Sequence, residues 1–123
     1  MRQQHTGNLV VIDNSDGDRI PVGIITDRDI VIEVLGKGLD PAKTTVAGAM
    51  STQLVVADSG EDVSDAVERM WTHGVRRIPV TGDGGALMGI FTLDDLLKLN
   101  AEQLGAPAAI LTKEQIREHR ARR

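Results

Sequence analysis

A chain of 123 residues, 41% apolar and 26% charged, is sized for one compact domain or two small units sharing a core, and is too apolar for a disordered polymer. With one Trp, one Phe and no Tyr, its core must come from Val, Ile, Leu, Ala and Met. The absence of Cys removes disulfides, thiolate zinc sites and a cysteine nucleophile. The formal charge of −4 argues against a surface built to coat nucleic acid, and no apolar run approaches the ~20 residues that cross a bilayer. The opening MRQQHTGNLV lacks a signal core, so a cytoplasmic protein with no membrane contact is expected.

In chain order, NLVVID (8–13) is rich in β-branched residues, NSDGD (14–18) supplies turn formers, and IPVGII (20–25) is a second extended run. Together they predict a hairpin. From Asp27 to Leu35 the apolar residues Ile30, Val31, Val34 and Leu35 recur at helical spacing. Gly36, Gly38 and the Asp40–Pro41 pair end that helix and open a connector. LVVA (54–57) predicts a short strand, and Ser59 with Asp62 three residues on predicts a capped helix start. Val63, Ala66, Val67, Met70 and Trp71 then form one apolar stripe that Gly74 stops. RRIPV (76–80), TGDGG (81–85) and ALMGIF (86–91) repeat the hairpin plan, and DDLLKLNAEQL (94–104) repeats the helix.

The second half thus reads strand, helix, strand, strand, helix, and the first half lacks the opening strand and most of the opening helix. Displaced by 69 residues, Leu9 falls on Ile78 and Val11 on Val80; after a shorter turn, Gly23 falls on Gly89 at 66. Nothing in the sequence answers to residues 46–69 in the first copy. The expectation is a fragment whose first ~24 residues precede Met1, because a bare hairpin exposes strand edges that proteins avoid. The alternative is a native start whose edge another chain covers.

GIITDRDI (23–30) and GIFTLDDL (89–96) share Gly, two apolar residues, Thr, two variable residues, Asp and an apolar residue. A Thr with an acid three residues later, at a strand-to-helix junction, is close to a capping box. The same set admits a second reading. A strand glycine tolerates close approach of another group, a helix start offers free N–H donors to phosphate, and a carboxylate there can accept both hydroxyls of a ribose. Both readings stand for Thr26, Asp29, Thr92 and Asp95.

These motifs resemble a tandem CBS-domain pair, or Bateman module, over roughly residues 1–104. GIITDRD and GIFTLDD resemble the segment that closes each repeat of that family, and GVRRIPV (74–80) and TTVAGAM (44–50) resemble two further signatures. The resemblance implies an α+β fold of two repeats packed sheet to sheet about a pseudo-twofold axis, the first repeat incomplete. Its divisions would be 1–45, 46–104 and a basic helical tail at 105–123. It also implies a regulatory, non-enzymatic module that senses an adenosine-containing nucleotide in the cleft between repeats. AMP, ADP, ATP, NAD and S-adenosylmethionine all stay open as the ligand, and the regulated partner stays open too. Asp29 and Asp95 would take ribose hydroxyls, and Thr26 and Thr92 phosphate or ribose. Val75, Ile78 and Pro79 would wall the base, and the segment from Met50 to Val55 would close the pocket. The Asp29 cleft ranks above that of Asp95, for which Thr6, Gly7 and Asn8 would be the remaining wall. Trp71 on its stripe, with the surface of a shortened repeat, implies a homodimer.

Arg76 and Arg77 carry guanidinium suited to polyphosphate, but adjacent strand residues face opposite ways, so at most one aims into a cleft. Arg28, between Thr26 and Asp29, reads mainly as solvent-facing. His5, His73 and His119 show no metal spacing, and DNSDGD (13–18) lacks the acid that would close a calcium loop. From Lys113 onward five cationic side chains face two carboxylates. That reads as a solvated terminal helix with cations near its C-terminus, and nucleic acid is disfavoured as a partner. The rival to a sensor is a structural dimerisation module whose Thr and Asp only cap helices.

Overall fold

A computed structural model describes residues 1–105. Its contacts divide the chain into one unit, Met1–Ile90, and a second that begins at Phe91. The first unit opens with a 3-10 turn (Arg2–Gln4) and the hairpin of β1 (Asn8–Asp13) and β2 (Ile20–Thr26). Asn8 pairs with Thr26 and Val11 with Gly23, and a shift of register between Val11 and Ile12 leaves Val22 as the extra residue of a bulge.

β2 runs directly into α1 (Asp27–Asp29), which continues as a π-helical segment, Ile30–Leu35. Periodicity reported a helix over these residues but not its widened second half. The short α2 (Val46–Ala49) follows the connector. Thr45 caps it, its Oγ1 accepting the Gly48 N–H at 3.2 Å. A small core gathers Ile25, Val34 and Ala49, with Met1, Val11, Ile30 and Met50 packed against it.

The remaining elements are β3 (Ala57–Asp58), α3 (Val63–His73), β4 (Arg77–Thr81) and β5 (Leu87–Thr92), whose last two residues enter the second unit. The three strands form one sheet in the order β3-β4-β5, with β3 parallel to β4 across α3. A parallel pair requires such a crossover. Ala57, Ala66, Met70, Ile78 and Pro79 are buried, with Ile78 and Pro79 the largest fully enclosed side chains. The two hairpins touch where the Leu87 N–H donates to Arg19 O at 3.0 Å. In the second unit, α4 occupies residues 93–105.

Two local expectations are corrected. The strand expected over 54–57 is confined to Ala57–Asp58. Just ahead of it the Arg69 guanidinium is bonded to Val56 O while holding Glu61 through two 2.9 Å contacts, so a side chain rather than another strand takes that outward carbonyl. Ser59 is not the cap of α3. Its N–H extends the ladder to Thr81 O (2.8 Å), and Asp62 holds the N-cap position without a side-chain bond. On α3, which buries Ala66 and Met70, Trp71 is 86% exposed. The terminal basic helix and His119 lie outside the described residues.

Candidate functional site

The two Thr–Asp pairs are built alike. Thr26 N–H donates to Asp29 Oδ2 at 2.8 Å, and Thr26 Oγ1 accepts the Asp29 N–H at 3.1 Å, a complete capping box at the end of β2. In the second unit, Thr92 N–H and Oγ1–H both donate to Asp95 Oδ2 (3.0 and 2.8 Å), and Thr92 Oγ1 accepts the Asp95 N–H at 3.2 Å. The bonds from Thr92, the hydroxyl first and the backbone second, hold the Asp95 carboxyl below the usual carboxylate range, with a smaller contribution from Lys98. Each cap uses one carboxylate oxygen. For both residues Oδ1 has no partner among the described side chains and backbone groups.

The strand glycine of the first pair has the close neighbour that its position predicts. Met50–Ser51 crosses β2 there: Ile24 N–H donates to Ser51 O (3.1 Å) and Ser51 N–H to Ile24 O (2.9 Å). A Cβ at Gly23 would lie 2.6 Å from Met50 Sδ and 2.9 Å from Ser51 O. The opening of the second repeat is thus stitched to the closing strand of the first, next to Thr26. At Gly89 a Cβ would meet nothing within 4 Å.

Ile25 and Ile30, the residues flanking the Thr26–Asp29 turn, line an open recess of about 210 Å³. Val34, Pro41, Val46 and Ala49 complete its apolar wall, and Thr44 and Thr45 add hydroxyls. Thr44 Oγ1–H is committed to Asp40 O at 2.9 Å, whereas Thr45 Oγ1 serves only as acceptor in its cap. None of the residues that the sequence put in the site lines this recess. The available signal was Thr45 three residues before Gly48, a cap placed just ahead of Met50.

Other expected site residues are dispersed. Met50 is half-buried against the small core, and Val55 and Val75 are half-buried. Ile78 and Pro79 are enclosed by protein on all sides. Arg76 is exposed and precedes β4, whereas Arg77 opens that strand and is half-buried. Gly7 O accepts the Asp27 N–H at 2.9 Å, and Thr6 Oγ1–H donates to Asn8 O at 3.2 Å, so these residues brace the start of α1. Among the described residues no group of three His, Asp or Glu side chains comes together, and no helix is long and apolar enough to cross a membrane.

The sequence matches the CBS domain family over residues 1–36 and again over 46–102. This chain belongs to the CBS-domain family. It is 35% identical over 99 residues to the uncharacterized protein MK0525 of Methanopyrus kandleri, a match covering 80% of this chain and 49% of that protein; the chain thus spans about half the length of that relative. Hypoxic response protein 1 of Mycobacterium tuberculosis is 35% identical over 98 residues, covering 80% of this chain and 66% of that one. The crystal structure of Hypoxic Response Protein I with two coordinated zinc ions superposes with a TM-score of 0.68, covering 80% and 76%. The CBS domain pair of protein MJ0100, solved in complex with 5-methylthioadenosine and S-adenosyl-L-methionine, is 26% identical with a TM-score of 0.65, covering 83% and 76%. Two CBS stretches in an α+β chain with two small sheets agree with the duplicated motif of the sequence.

Proposed function

We propose that this chain is a ligand-sensing regulatory module that binds an adenosine-containing nucleotide without turning it over. The observation that carries this reading is the Thr26–Asp29 turn, where the cap consumes one carboxylate oxygen and leaves Oδ1 for a ribose hydroxyl. The adenosyl compounds bound by the CBS pair of MJ0100 support the ligand class. At about 210 Å³ the recess beside the turn falls below the ~300 Å³ at which pockets begin to enclose a drug-sized ligand. It suits one apolar portion of a nucleotide, with the sugar and any phosphate held outside by Asp29, Thr26 and the free Thr45 hydroxyl hydrogen. Half-buried Met50, packed against Ile25, Val34 and Ala49, lies beside this arrangement, and Arg77 or Arg76 is the candidate charge for a phosphate. Thr92 and Asp95 form a second candidate pair of the same chemistry.

Exposed Trp71, on the helix that buries Ala66 and Met70, supports a homodimer as the assembly that such a module would regulate. A monomer at micromolar concentration by sedimentation would remove that part of the proposal.

The bonding of both caps also favours a second reading, in which Thr and Asp only start helices and the module is structural. A thermal-shift panel of AMP, ADP, ATP, NAD and S-adenosylmethionine separates the two. The sensor reading expects a ligand-dependent rise in melting temperature that Asp29→Ala abolishes and Asp95→Ala leaves largely intact. The capping reading expects both variants to lose about 1 kcal/mol and no nucleotide to raise the melting temperature of any form.

A further inference from the structure

The helix that starts at Asp27 changes its bonding pattern within one turn. Ile30–Leu35 is π-helical, with the Gly36 N–H donating to Val31 O at 2.7 Å and the Leu39 N–H to Val34 O at 2.9 Å, each five residues back. Isolated π turns are rare and cluster at functional sites. Two anchors account for this one. The capping box ties Asp29 to the end of β2, and Val34, 3% exposed, is seated in the core with Ile25 and Ala49. In an ordinary α-helix each residue advances about 100°, so removing the π turn's extra residue would rotate Val34 by about that much relative to Asp29.

Gly36 is what lets the wide turn close. Its φ of −62° and ψ of −27° suit any residue, yet a Cβ there would lie 2.8 Å from Ile32 O and 3.2 Å from Val31 O. Ile32 O is also the carbonyl, four residues back, that would accept the residue-36 N–H in the α register. The alternative partner therefore already stands beside the bond that is made. The segment presents Val31, Ile32 and Leu35 to solvent, at 56%, 47% and 56% exposure, while Ile30 and Val34 line the recess. A change of register would move both faces at once.

We propose that Ile30–Leu35 is a two-register element whose passage from five-residue to four-residue hydrogen bonding carries occupancy at Asp29 to the exposed Val31, Ile32 and Leu35 face. Ligand coupling rests on the nucleotide reading above; the existence of two registers does not. A ligand that pulls on the Asp29 carboxylate competes with the seating of Val34, and that differential interaction is what a shift of populations requires.

The test is NMR detection of couplings through hydrogen bonds. Unliganded wild type should correlate the Gly36 amide with the Val31 carbonyl, and Gly36→Ala should correlate residue 36 with Ile32 instead. Wild type saturated with whichever adenosine compound raises its melting temperature should move to the Gly36→Ala pattern. Because that variant no longer bears the cost of the shift, it should bind that compound at least roughly threefold more tightly. Retention of the Val31 correlation in a folded Gly36→Ala variant overturns the two registers. An unchanged wild-type pattern at saturation overturns the coupling. Failure of every nucleotide to bind intact wild type overturns the functional reading and the coupling with it, and the unliganded comparison then decides the registers alone.

Discussion

Gly23 and Gly89 hold the same place in the two copies of one motif, and the structure predicts opposite consequences for the same substitution. At Gly23 an added Cβ would stand 2.6 Å from Met50 Sδ and 2.9 Å from Ser51 O. The thioether is the end of a flexible side chain and can swing away, at the expense of its packing against Ile25, Val34 and Ala49. The Ser51 carbonyl is backbone, and moving it breaks both bonds to Ile24. Two hydrogen bonds at about 1 kcal/mol net each, with about 1 kcal/mol for the displaced Met50, total about 3 kcal/mol. Alanine recovers about 0.5–1 kcal/mol through lower strand entropy, which leaves a net loss of about 2 kcal/mol. At Gly89 nothing lies within 4 Å of a Cβ and φ is not positive. Gly89→Ala should therefore stabilise by about 0.4–1 kcal/mol. Urea denaturation of both variants at equal concentration, read by circular dichroism, measures the contrast directly. Equal shifts, or a neutral Gly23→Ala, would refute the claim that Met50–Ser51 is stitched onto β2.

Arg69→Ala removes the paired contact to Glu61 and the bond to Val56 O. It should cost about 1.5–3 kcal/mol by denaturant titration, since bonds to charged groups fall in that range, and should raise amide exchange across 54–57. Trp71→Ala should change monomer stability by no more than about 0.5 kcal/mol, as exposed positions do, while weakening self-association in sedimentation if this face is buried by a second copy. Asp95 has its pKa lowered by the Thr92 bonds, so its cap contributes above the ordinary Asp range and is lost as pH falls through the depressed value. A carboxyl NMR titration should place its midpoint below that of an ordinary Asp, and Thr92→Val should raise that midpoint.

The elements that the sequence disclosed are those whose cause is local. Turn formers between β-branched runs set β1 and β2, and repetition of GIITDRDI as GIFTLDDL located both Thr–Asp turns to the residue. What it withheld depends on partners distant along the chain. No window around LVVA shows that Arg69, a residue of the following helix, will occupy Val56 O, or that pairing is confined to Ala57–Asp58. The stripe on α3 does not reveal that Trp71 lacks a covering surface among the described residues, because periodicity reports which residues share a face and not whether anything packs on it. Similarly, the recess draws walls from β2, the π segment, the connector and α2, and such a surface has no signature in any one stretch.

The same geometry bears on whether Asp29 caps a helix or holds a ligand, since the two roles are compatible in physical terms. A carboxylate that accepts Thr26 N–H through Oδ2 has its rotamer fixed by that bond, and its free Oδ1 is held in one direction without further loss of side-chain entropy when a hydroxyl arrives. A cap therefore preorganises the acceptor. Asp29→Asn can retain an oxygen acceptor for the Thr26 N–H while discarding the charge. It should keep most of the helix-start stability that Asp29→Ala loses, about 1 kcal/mol, and still lose nucleotide-induced stabilisation. If the Asn variant responds to nucleotide as strongly as wild type, charge at this position is irrelevant to the ligand and the ribose role of Asp29 is wrong.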